Sequence, residues 1–172
     1  MTLESKRTKT LPKNFEDAFD NAVKYAFKLL GYRDRSEKEL QEKLARKGFS
    51  NGTINKTIDF FKEKGFINDR KLAAALRRDA VERRHLGKRG VRGLLLKRGL
   101  TGEVADTLSD DEDEAAYVDA ARQLIEKKLR HLKQFDEETI KRRLWGLLAR
   151  RGFSVENIRA AMKSFDIKEE QQ

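Results

Sequence analysis

The phrase LARKGFS at Leu44–Ser50 returns as LLKRGLT at Leu95–Thr101 and as LLARRGFS at Leu147–Ser154. Each copy orders a basic residue, a glycine, a large apolar residue and a hydroxyl. Aligned on Gly48, Gly99 and Gly152, the upstream apolar positions match too. Leu40, Val91 and Leu144 stand eight residues before the glycine, and Leu44, Leu95 and Leu148 stand four before it. Apolar residues at i, i+4 and i+8 running into a glycine mark an amphipathic helix that ends there. Glycine suits the left-handed position just past a helix end, where a Cβ would clash. Lys47, Arg98 and Arg151 fall in the last turn, where the helix dipole favours cations. Ser50, Thr101 and Ser154 suit the N-cap of a following helix, and Phe49, Leu100 and Phe153 are expected to plug the corner. Each phrase predicts a helical hairpin, and glycine spacings of 51 and 53 residues predict a tandem repeat of it.

A further amphipathic helix precedes each hairpin. Asn14–Gly31 presents Phe15, Phe19, Val23, Ala26, Phe27 and Leu30; Asp69–His85 presents Leu72, Leu76 and Ala80; Glu112–His131 presents Ala116, Ala120 and Leu124. Ser36 with Glu39 reads as a capping box, and Asp69 and Asp136 open helices of their own. The acidic run Asp110–Glu114 fits a linker entering a helix, its sign matching the dipole. The fold class predicted is all-α: three tandem three-helix modules at 14–66, 67–110 and 111–166, between a basic tail at 1–13 and a short tail at 167–172. Helices after each glycine are expected at Ser50–Lys64, Thr101–Ser109 and Ser154–Phe165.

Composition narrows the function. The chain has 172 residues, no cysteine and one proline, and 40% of it is charged. Disulfides and thiolate metal sites are thereby excluded, and no apolar run approaches the roughly 20 residues that span a bilayer. A cytoplasmic location is expected. The net charge of +10 is uneven: residues 1–68 carry +5, residues 69–109 carry +6, and residues 110–172 carry −1. A basic front and middle point to a polyanionic partner, nucleic acid first, or to a plain solubility surface.

Catalytic and cofactor chemistry find no footing. GKRGVRG at Gly87–Gly93 lacks the Lys-Ser/Thr ending of a phosphate loop. His85 and His131 lie far apart in the chain, without a nucleophile motif or an orienting carboxylate. Trp145 reads as core or interface packing rather than as a base-stacking platform. The chain is predicted to be a non-enzyme with no cofactor and no metal site.

The most informative local chemistry is basic. On the helix expected from Asp69, Arg70, Arg77 and Arg84 recur every seven residues and share a face. Arg78 lies beside them, and Lys88, Arg89 and Arg92 follow at the start of the next helix. Cations there oppose the dipole, yet free backbone amides beside cations suit a phosphate or carboxylate. An anion-facing patch and an ordinary solvated basic face both remain open.

With these residues in view, the chain resembles the RecX family, regulators of the RecA recombinase. The resemblance is carried by RDRSEKELQEKLARKGF (Arg33–Phe49), GFINDRKLA (Gly65–Ala73), GKRGVRGLLLKRGL (Gly87–Leu100) and RRLWGLLARRGFSVENI (Arg142–Ile158). It implies tandem three-helix units, like winged helices without wings, in an elongated curved body. It also implies a monomer that binds RecA filaments on single-stranded DNA, touches the DNA weakly and without sequence preference, and suppresses ATP hydrolysis, strand exchange and coprotease activity. Arg70, Arg77, Arg78, Arg84, Lys88, Arg89 and Arg92 are then the expected contact residues. The competing function is a sequence-specific helix-turn-helix transcription regulator. Against it, the helices after each glycine carry mixed charge and few Arg, Asn or Gln clusters for reading base edges.

Overall fold

The structure, a computed structural model, describes residues 15–105 and 114–169. The basic tail at 1–13, most of the acidic run Asp110–Glu114 and the end of the helix expected at Thr101–Ser109 lie outside the described residues. Among the described residues every regular element is helical, and the chain divides into two compact units, Met1–Asn68 and Asp69–Gln172.

The first unit holds α1 (Phe15–Leu30), α2 (Glu37–Lys47) and α3 (Asn51–Glu63). Its boundaries follow from local chemistry. Ser36 Oγ accepts the Glu39 amide at 3.1 Å and the Glu39 carboxylate accepts the Ser36 amide at 3.3 Å, the reciprocal capping box expected. Arg33 clamps the same carboxylate with two bonds of 3.1 and 2.9 Å. At the other end of α2, Gly48 takes φ +95° and its amide donates to Ala45 O, while that of Phe49 donates to Leu44 O. Ser50 caps α3 through the Thr53 amide. Ala22, Ala26, Leu40, Leu44, Ile58 and Phe61 fill the core between the three helices. Phe27 sits at its margin against Phe61 and Phe66 rather than inside.

The second unit holds α4 (Asp69–Glu82), α5 (Lys88–Lys97), a helical turn α6 (102–105), α7 (Glu114–Leu129), α8 (Glu137–Arg150) and α9 (Val155–Glu169). Its two cores are interlocked. Leu72, Ala73, Ala80, Val91, Leu95 and Leu100 form one, and Tyr117 of α7 is buried in it. Leu124, Ile125, Leu144, Leu148, Phe153 and Ile158 form the other, and Val81 of α4 packs against both. The hairpin rule holds throughout: Gly99 and Gly152 take φ +75° and +85°, and Leu100 and Phe153 are buried at their corners. Gly65 adds a fourth left-handed glycine, after α3.

Two expected boundaries are corrected. α4 stops at Glu82 instead of running to His85, so Arg84 lies in the following turn and shares no helical face with Arg70 and Arg77. The cause is His85, whose φ of +50° no α-helix accommodates. α9 runs to Glu169, three residues into the tail expected from 167.

Candidate functional site

The basic residues singled out from the sequence lie on α4, on α5 and in the turn between them. Arg70 and Arg78 are exposed on α4, and Arg77 is half-buried. Arg84 is exposed but engaged: its Nε donates to the Asp79 carboxylate at 2.7 Å, and Arg83 approaches the same group at 3.6 Å. Lys88 is half-buried at the first position of α5, while Arg89 and Arg92 are exposed on the same helix.

Backbone carbonyls reach the start of α5, where the sequence left open either an anion-facing patch or a solvated basic face. Gly87 caps the helix without any side-chain acceptor, and its amide donates instead to Arg151 O at 3.1 Å. The amide of Arg89 donates to Gly152 O, also at 3.1 Å. Two of the orphan donors at the α5 N-terminus are thus satisfied by carbonyls at the C-terminus of α8. The positive end of one helix dipole meets the negative end of another, and this explains how Lys88 and Arg89 are tolerated at an end that disfavours cations. The Arg151 guanidinium completes the joint by donating to Arg84 O at 2.6 Å.

Three glycines make the approach possible. A Cβ on Gly87 would lie 2.3 Å from Phe153 N, one on Gly90 2.3 Å from Arg151 O, and one on Gly152 2.2 Å from Gly90 N. No side chain fits in any of these places. Gly152 was legible as a helix stop. Gly87 and Gly90 carried no signal beyond their three-residue spacing, since the backbone they touch lies some sixty residues on.

His85 packs into this joint. Its Nδ1 is buried and finds no partner among the described residues. Burial, and then the nearby charges of Lys127 and Arg151, push its pKa below the ordinary histidine value, so the ring is neutral at physiological pH. With a φ of +50° and a buried Nδ1, it is a packed turn residue. Among the described residues no cluster of His, Asp and Glu is arranged to hold a metal ion.

A second basic locality is one that sequence reasoning set aside. Trp145 on α8 is 39% exposed, so it does not belong to the core. It lines an open groove of about 480 Å³ between α8 and α9 with Lys141, Arg142, Arg159, Met162 and Lys163. The signal lay in spacing: Lys141 and Trp145 are four apart on α8, and Arg159 and Lys163 four apart on α9, so each pair shares a face.

Comparison with known proteins agrees with this architecture. Residues 22–61 match the family model for the first three-helix domain of RecX, and residues 115–162 match that for the third. The chain is 31% identical over 138 residues to a regulatory protein RecX from Amycolatopsis mediterranei, covering 80% of this chain and 79% of the relative. It is 34% identical over 146 residues to one from Chlorobium phaeobacteroides, covering 84% and 91%. The crystal structure of RecX from Lactobacillus salivarius superposes with a TM-score of 0.80 at 20% identity, over 88% of this chain and 99% of that one, and so shares the fold. With tandem three-helix repeats, glycine-stopped hairpins and relatives matched along most of their length, the chain belongs to the RecX family of regulatory proteins.

Proposed function

We propose that this chain regulates the RecA recombinase by binding its filaments on single-stranded DNA, lowering ATP hydrolysis, strand exchange and coprotease activity. The contact surface in this reading is the basic surface of the second repeat, with Arg70, Arg78, Arg89 and Arg92 exposed, Arg84 exposed but bonded to Asp79, and Arg77 and Lys88 half-buried. Membership of the RecX family is the observation that carries the reading. The exposure of those four arginines supports it, because a negatively charged nucleoprotein surface is what such a face attracts. The protein acts as a monomeric, non-catalytic, cytoplasmic binder. Among the described residues no helix is long and apolar enough to cross a membrane.

Salt separates the partners. Contacts with DNA phosphates alone make affinity fall steeply with salt, whereas a filament buries protein surface as well. Anisotropy titrations at rising salt should show tighter, less salt-sensitive binding to RecA–DNA filaments than to naked single strands. Equal affinity and equal slope for both would remove RecA as the partner.

A further inference from the structure

From the groove between α8 and α9 we infer a second ligand site, one that takes a nucleobase of single-stranded nucleic acid against Trp145 and its flanking phosphates on the cations of both walls. Lys141 and Arg142 stand on the α8 wall, and Arg159 and Lys163 on the α9 wall, where Met162 also lines the groove. Four cations and one carboxylate, that of Glu138, line the groove; Asp136 and Glu156 also lie close enough to feel Arg142 and Arg159. Like charges on opposite walls repel, and an anion between them removes the repulsion. Lys141 is bonded to Glu137 one turn back, but an exposed pair of this kind is worth little and yields to a phosphate.

The corresponding place in the first unit is built differently. Counting seven residues back from the hairpin glycine, Trp145 aligns with Gln41, and eleven back, Lys141 aligns with Glu37. There Glu37 on α2 reaches Lys62 on α3 at 3.0 Å, and Gln41 donates to Glu37 at 3.2 Å. The two helices are bridged by opposite charges and present no aromatic face. A different groove of the first unit does hold aromatics, Phe19 and Phe60, but its rim carries Asp59 and Glu63, and Lys56 already covers the Phe19 ring at 4.5 Å. The α8–α9 groove alone among these three combines a half-exposed ring with an excess of cations.

The chemistry favours nucleic acid over an acidic peptide. A peptide backbone offers donors as well as acceptors, and among the lining side chains Glu138 is the one strong acceptor. A strand of nucleotides offers flat bases and acceptor-only phosphates, which is what an indole flanked by Lys and Arg accepts.

Trp145 is the chain's single tryptophan, so its fluorescence reports on this groove directly. Titrating the full-length protein with a short oligothymidylate, without recombinase, should quench it saturably, and added salt should reverse the effect. A duplex of equal length should quench much less, its bases being stacked already. With a labelled oligonucleotide, Trp145→Ala should weaken binding about tenfold or more. Trp145→Phe should recover part of that loss, and Arg159→Glu with Lys163→Glu should abolish binding while the melting curve stays near that of the parent. Absence of quenching, equal quenching by duplex, equal quenching by polyglutamate, or unchanged affinity in Trp145→Ala would each overturn the site. Since RecA is absent from the assay, such a failure leaves the filament reading standing.

Discussion

The amide of Arg89 donates to the carbonyl of Gly152 at 3.1 Å, tying the first turn of α5 to the corner between α8 and α9. Backbone-to-backbone contact this close requires that no Cβ intervene, and Gly87, Gly90 and Gly152 meet that requirement together.

The two inner glycines of α5 should therefore respond in opposite directions. A Cβ on Gly90 would lie 2.3 Å from Arg151 O, while one on Gly93 meets nothing within 4 Å. Gly90→Ala should destabilise the second unit by about 1–3 kcal/mol through overpacking. Gly93→Ala should stabilise it by about 0.5–1 kcal/mol, by removing the entropic penalty of glycine inside a helix. Chemical denaturation of both variants is the check. A Gly90→Ala curve that overlays the parent would mean the joint does not form.

The same joint should make stability depend on pH through His85. Its folded pKa lies below its ordinary value of about 6.5, so the unfolded chain takes up the proton first. The contribution is full above the unfolded pKa and is lost as pH falls through that value toward the folded one. Asp136 and Glu156, whose carboxyls are held below their usual values chiefly by backbone hydrogen bonds, lose their contributions only at more acidic pH. Melting temperature should thus drop between pH 7 and pH 5.5, and His85→Asn, which tolerates the left-handed turn, should flatten that part of the profile. An unchanged slope in the variant would assign the effect elsewhere.

Among the basic residues, exposure now selects the pair to reverse. Arg77 is half-buried and Arg84 is held by Asp79, so substitution of either perturbs the fold as well as the surface. Arg78→Glu with Arg89→Glu changes two exposed positions and should abolish inhibition of RecA, with a stability change within about ±1 kcal/mol. Lys24→Glu with Lys38→Glu, on exposed faces of α1 and α2, is the matched charge reversal and should cost less activity. The opposite ranking would move the contact surface to the first unit.

What could be read from the sequence was what neighbours in the chain determine. Gly48, Gly99 and Gly152 take positive φ because a helix end needs a residue without a Cβ, and that rule is local. The capping box at Ser36 and the N-cap at Asp136 formed for the same reason. The end of α4 was misplaced because the heptad of arginines looked continuous, while the turn at His85 is held by Arg151, a residue 67 positions beyond Arg84. Gly87 and Gly90 were opaque for that reason too. Trp145 was read as packing because large aromatics usually are; only the placement of α9 beside α8 shows its ring facing a cationic groove.

The most direct measurement is the rate of ATP hydrolysis by RecA on single-stranded DNA as this protein is added. The account predicts a saturable fall in rate as the protein is added. It also predicts that Arg78→Glu with Arg89→Glu leaves the rate near its starting value. A rate unchanged by the folded parent protein, in a filament preparation that still hydrolyses ATP normally, would contradict it.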